Sequence, residues 1–185
     1  MFDPFTYLKN KKCLLIGNAV LDKEPNYSDY EIIIRMNLGI MTKPCDVWID
    51  NLVNQAHSFL LDKLGYYPEI KNIIRLNAEK NGKRMERMPS VYKPYAWLWN
   101  KEEYQSMCNQ LKYQRPTTGL VSIYWLTNFV ECDLTVTGYD FFKTPNRYTM
   151  ETHAVSKTYV YPSHDINKDK YWIMKWADQG LFKLI

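Results

Sequence analysis

An α/β fold built on one mostly parallel, Rossmann-like sheet flanked by helices is what this chain predicts, on three observations. Short apolar runs rich in Val, Ile and Leu alternate with longer segments of helical periodicity. Those runs are apolar throughout, the pattern of strands covered on both faces. A length of 185 residues is enough for one well-buried core and too short for two ordinary ones, so residues 1–185 read as a single domain.

Taken in order, Lys12–Ile16 reads as the first strand, Glu31–Arg35 as the second, Asp46–Ile49 as the third, Ile70–Leu76 as the fourth and Leu134–Thr137 as a late one. Between them Leu52–Leu64, Lys101–Leu111 and Leu120–Phe129 read as helices. A closing helix runs from about Lys168 to Gln179 and is stopped by Gly180. Lys80–Asn100, with Pro89 and Pro94, is the least regular stretch, either a plain connection or a loop that closes over a site. No internal repeat or low-complexity tract interrupts the pattern.

Composition removes several function classes. The net charge of +4 is modest and spread out, apart from Lys80–Arg87. That stretch reads as a solvated loop, with contact to an anionic lipid surface or nucleic acid as the alternative; peripheral membrane association stays open and no nucleic-acid partner is expected. Six Trp and fifteen Tyr suit sugar-stacking surfaces and core packing equally. Asp3 and Pro4 break any leader-like N-terminus, and no apolar run approaches a membrane span, so a cytoplasmic location is expected. Cys13, Cys45, Cys108 and Cys132 have no C-x-x-C spacing. The first strand ends in Gly17-Asn18-Ala19-Val20-Leu21-Asp22, which lacks the glycines of a dinucleotide fingerprint, and no P-loop occurs. The run Asp165–Lys170 starts like a calcium loop but has Lys170 where the turn glycine belongs. With no D-x-D pair either, no metal is expected.

The chemistry-bearing residues gather at strand ends. Arg115-Pro116-Thr117-Thr118-Gly119 opens an apolar helix, and hydroxyls with unpaired backbone N–H groups at a helix start make a phosphate cradle. Cys132–Val136 leads into Gly138-Tyr139-Asp140-Phe141-Phe142, just past a strand's carboxyl end. Asn18, Asn37 and Asn51 each follow a strand. Singly each is a turn Asn; together they would converge on one crevice at the carboxyl edge of the sheet. His57 falls on a helix face as a structural or solvated residue, whereas His153 and His164 follow the cradle and suit proton transfer.

Cys13–Asn18 with Arg35-Met36-Asn37 resembles the large sialyl motif of the animal sialyltransferases, glycosyltransferase family 29. Arg115–Gly119 through Cys132 to Gly138 resembles their small motif, and His164 followed by Asp169 their last one. Gln114–Gly119, Gly138–Phe141, Tyr148 and the His164…Asp169 pair also resemble the bacterial sialyltransferases of family 42. Residues 52–112 carry no match.

The resemblance implies a GT-A-variant, sialyltransferase-like single domain that uses a CMP-linked sugar as co-substrate, with no cofactor or metal. The implied reaction is an inverting transfer of a sialic acid, or a related 2-keto sugar acid such as Kdo, to a glycan hydroxyl. By position Asn18, Asn37 and Asn51 contact the nucleotide or sugar. Thr117, Thr118 and Gly119 hold the donor's phosphate or carboxylate, with Gly17, Arg115 and Gly138 in the same donor-binding set. His164 is the implied general base, Asp169 orients its ring or caps the closing helix, and Tyr148 with His153 assists the leaving phosphate. The family 42 pattern has a second Tyr where this chain has Phe142. Cys13 and Cys132 match a disulfide of the animal enzymes; in a cytoplasmic protein they are expected as free thiols. The alternatives are a transferase for another nucleotide sugar and a non-catalytic glycan- or nucleotide-binding module.

Overall fold

The computed structural model describes residues 2–37, 39, 44–49, 69–76, 90, 92–141, 143 and 164–185. The expected helix Leu52–Leu64 and the Lys80–Arg87 stretch lie outside these residues.

Among the described residues seven strands form one wholly parallel sheet. β1 (Lys12–Ile16), β2 (Ile32–Met36), β3 (Val47–Ile49), β4 (Ile73–Arg75), β5 (Ala96–Leu98), β6 (Asp133–Thr137) and β7 (Lys183–Leu184) lie in the order β5-β4-β3-β2-β1-β6-β7. The chain steps outward from β1 to β5, then returns to add β6 and β7 on the other side of β1. The order therefore reverses between β1 and β6, the place where open parallel sheets bind ligands outside their carboxyl ends. Here Leu14 pairs with Thr135 and Ile16 with Thr137.

Strand side chains alternate between two apolar layers. Leu15, Ile34, Met36, Ile49, Ile74 and Val136 belong to the larger core, together with residues of all four described helices. These helices are α1 (Pro4–Leu8), α2 (Lys101–Gln110), α3 (Thr118–Phe129) and α4 (Ile166–Asp178). Leu14, Ile16 and Ile33 face the other side with Leu21, Tyr27 and Tyr30, and Trp48, Ile73 and Tyr92 continue that layer. The largest apolar helix is α3, buried continuously from Gly119 to Leu126, in keeping with a sequence that is hydrophobic all round.

Each helix start has a side-chain cap. Asp3 accepts from Phe5 N–H and Thr6 N–H with Pro4 in the first turn, Asn100 accepts from Glu102 N–H, Thr117 from Leu120 N–H and Asp165 from Lys168 N–H. Asp3-Pro4, which argues against a leader in the sequence, is thus a helix start. The fourth strand is shorter than expected, and α1, β5 and β7 were not foreseen. β5 sits inside the irregular 80–100 region, flanked by a 3-10 turn at Lys93–Tyr95. β7 is only two residues long, below the length at which apolar patterning gives a signal.

Candidate functional site

At the switch point the backbones of β1 and β6 come unusually close. A Cβ on Gly17 would stand 2.1 Å from the carbonyl oxygen of Gly138 and 2.8 Å from Cδ2 of Tyr139. One on Gly119 would stand 2.5 Å from Cε1 of Tyr139. Gly138, at φ +73°, meets the Gly17 backbone in return. Gly17 and Gly119 therefore pack on one phenol ring, with Gly138 against the Gly17 backbone, which draws the first turn of α3 onto the ends of β1 and β6. The Tyr139 hydroxyl lies 3.4 Å from Met36 Sδ, and burial, then the Asp169 charge, push its pKa far up.

The threonines sit on the outer side of this wedge. Thr117 is buried and caps α3 through its hydroxyl, while Thr118 is half-buried and receives a 3.4 Å hydrogen bond from Asn37 Nδ2. Asn37, just past β2, adopts φ +48°, and its carbonyl accepts from Trp48 Nε1 at 2.8 Å. Asn18, just past β1, has a buried Oδ1 with no hydrogen-bond partner. Two of the three expected asparagines thus stand on neighbouring strand ends near the α3 N-terminus.

The amino end of α4 meets the connection from α2 to α3 at the same place. His164 Nδ1 is 2.7 Å from the carbonyl oxygen of Arg115. A carbonyl only accepts, so Nδ1 carries a proton there; with Nδ1 so engaged, Nε2 is the ring nitrogen that a general base would use. Asp169 is 2% exposed, and neither carboxylate oxygen completes a hydrogen bond. Burial raises its pKa to about 6, against the opposing influence of Thr117, His164 and Tyr113. The cap of the closing helix is Asp165; Asp169 points inward from the first turn instead. Arg115 itself is exposed.

The geometry gathers Gly17, Asn18, Asn37, Arg115, Thr117, Thr118, Gly119, Gly138, His164 and Asp169 around the switch point. Asn51, Tyr148 and His153 lie outside the described residues, as does Phe142. Two contributors escaped the sequence reading: the carbonyl of Arg115 and the hydroxyl of Tyr113. Backbone groups carry no sequence signal. Tyr113 had one, an aromatic residue just past a helix end. A separate groove lies at the amino end of β6, lined by Cys132, Met174, Gly180 and Leu184. It holds none of the unpartnered buried polar atoms, so the carboxyl edge is the better candidate. Cys13, which hydrogen-bonds with Cys132, has its pKa raised by that contact and by burial. Among the described residues no cluster of three or more His, Cys, Asp or Glu could hold a metal ion.

Among solved structures the chain is similar to a mammalian sialyltransferase, with a TM-score of 0.60 and 12% identity over 99% of this chain and 72% of that one. The fold is sialyltransferase-like. A mammalian sialyltransferase in complex with Gal-beta-1-3GalNAc-ortho-nitrophenol matches equally, with a TM-score of 0.60 and 13% identity over 99% of this chain and 73% of that one. No family model matches the sequence, and no curated protein does. At this identity the likeness carries the fold alone; function has to come from the site.

Proposed function

We propose that this chain is an inverting, metal-independent glycosyltransferase, akin to families 29 and 42. It moves a sialic acid or a related 2-keto sugar acid, such as Kdo, from a CMP-activated donor to a glycan hydroxyl. The observation that carries the reading is His164, whose Nδ1 is held on the Arg115 carbonyl beside a helix N-terminus at the switch point of a sialyltransferase-like fold, with Nε2 assigned as the proton acceptor.

In this reading the acceptor hydroxyl attacks the anomeric carbon of the donor from the face opposite the leaving group. Its proton passes to Nε2 of His164 while the bond from the anomeric carbon to the phosphate oxygen breaks, and CMP leaves with that electron pair. The N-terminus of α3, with the Thr117 and Thr118 hydroxyls, Gly119 N–H and the Arg115 charge, attracts the donor's anionic groups. The buried Asn18 Oδ1 accepts from the nucleotide or sugar, and Asn37 and Asn51 are assigned contacts to the same donor. Tyr148 and His153 donate to the departing phosphate. Gly17 acts through its packing on Tyr139 and Gly138 through its packing on the Gly17 backbone.

The test is a thermal-shift and calorimetric titration with CMP, CDP, UDP and GDP in the presence of EDTA. Selective stabilisation by CMP supports the proposal and leads to transfer assays with CMP-sialic acid and CMP-Kdo. Gal-beta-1-3GalNAc-ortho-nitrophenol, bound in one structural neighbour, is the first acceptor to try. A preference for UDP or GDP points to another nucleotide sugar, and silence with all four points to a binding module without transfer.

A further inference from the structure

We infer that Tyr113 is a positioning residue of this site, whose hydroxyl sets the tautomer and orientation of the His164 ring. The inference rests on the transfer reading above, although part of its test does not.

Tyr113 reaches the site through an unusual helix end. After α2 the chain turns left-handed at Lys112, with φ +48°, and Tyr113 N–H closes the turn on the carbonyl of Cys108 at 2.9 Å. The ring is directed inward and is 5% exposed. Its hydroxyl then works twice on one residue: it accepts from Asp165 N–H at 2.7 Å and donates to Asp165 C=O at 3.0 Å. Asp165 directly follows His164, whose Nδ1–H ends on the carbonyl of Arg115, two residues beyond Tyr113. Residues 113–115 and 164–165 are thereby joined by two rungs, one from each segment. Lys168 Nζ adds a contact to the carbonyl of Lys112 at 3.1 Å.

The physical consequence falls on His164. A half-exposed imidazole whose Nδ1–H loses its acceptor can rotate and exchange tautomers, and each alternative removes the lone pair from the position where an acceptor proton must be taken. Clamping the backbone at the next residue keeps the Arg115 carbonyl in line with Nδ1–H. Tyr113 does this without joining the chemistry: burial, then the Asp169 charge, push its hydroxyl far above the range in which it would exchange a proton.

Tyr113→Phe keeps the ring and removes the hydroxyl. The matched control is Tyr124→Phe, which deletes a similarly buried hydroxyl that donates to Gln110 Oε1 at 2.8 Å, away from His164. With CMP-sialic acid, Tyr113→Phe is expected to lower kcat on the order of 10²-fold, with donor KM within about twofold and the His164 limb of the pH profile displaced. Nitrogen NMR of the full chain is expected to find His164 in the single Nδ1-protonated tautomer in the wild type and in both tautomers in Tyr113→Phe. Tyr124→Phe is expected to lower Tm alone. If Tyr113→Phe also does no more than lower Tm, with kcat and the His164 signals as in the wild type, the inference is overturned. Should that variant not fold, the wild-type spectrum decides, because mixed tautomers there overturn it as well. A wild type that transfers no sugar from any CMP donor sinks the transfer reading alone, and the tautomer comparison still judges Tyr113.

Discussion

At its carboxyl end α4 stops on Gly180, whose φ of +72° closes the turn with nothing within 4 Å of where a Cβ would stand. Leu181 N–H returns to the Trp176 carbonyl at 3.1 Å, over buried Ile173, Trp176 and Phe182. At its amino end the same helix buries the Asp169 carboxylate without a completed hydrogen bond and directs it at Thr117, His164 and Tyr113. The connection it meets there turns left-handed on Lys112, where glycine would cost less. The carboxyl end minimises the free energy of the fold. The amino end buries a desolvated acid beside a strained turn where an imidazole, a carboxylate and a helix N-terminus meet, and the function proposed above places its chemistry there.

Four substitutions test that contrast, and the largest effect is expected at the amino end. His164→Ala should lower transfer by roughly 10²- to 10⁴-fold while CMP binding and Tm stay close to wild type. Unchanged turnover in a coupled assay would remove the functional half of the comparison. Gly17→Ala comes next, because its methyl group would meet the Gly138 carbonyl at 2.1 Å and backbone cannot swing aside. We expect a loss of about 3 kcal/mol or more, a fall in Tm of roughly 10 °C, with calorimetry as the readout.

Asp169→Asn should act in the opposite direction. The folded carboxyl keeps its proton up to about pH 6, whereas the unfolded one releases it near 3.8. The native state therefore binds the proton more tightly, and stability falls as pH rises between those values and stays lowered above them. The variant should be more stable than wild type at pH 7, by up to roughly 3 kcal/mol, and equal to it below about pH 4. Urea unfolding across that range reads both; no gain at pH 7 means that the carboxylate is not a source of strain. Gly180→Ala is the smallest expected effect, a loss of about 1 kcal/mol from the left-handed backbone alone, with transfer unaffected.

Much of the edge was legible beforehand for a simple reason. Strands buried on both faces need unbroken apolar runs, and the polar residue that ends each run marks the sheet's rim, so Gly17-Asn18, Asn37 and Gly138 could be placed without coordinates. The Thr117–Gly119 turn was legible as a helix start; that the Thr117 hydroxyl caps it came from the structure. The role of Asp169 was not. Its separation from His164 admits ring orientation or helix capping, and only the packing of α4 against residues 113–117 leaves the cap to Asp165 and turns Asp169 inward. Nor could the glycines be understood in isolation: Gly17 and Gly119 are far apart in the chain and share one neighbour, Tyr139.

By itself the amino-acid sequence determined the α/β class, most strand and helix positions, and the set of polar residues at the carboxyl ends, because each follows from local periodicity, capping and turn chemistry. Tertiary structure alone decided the strand order with its reversal between β1 and β6, the packing of Tyr139 against Gly17 and Gly119, and the contact of His164 Nδ1 with the Arg115 carbonyl. Those depend on contacts between segments distant in the chain, where a backbone carbonyl or an excluded Cβ does the selecting and leaves no trace in residue type.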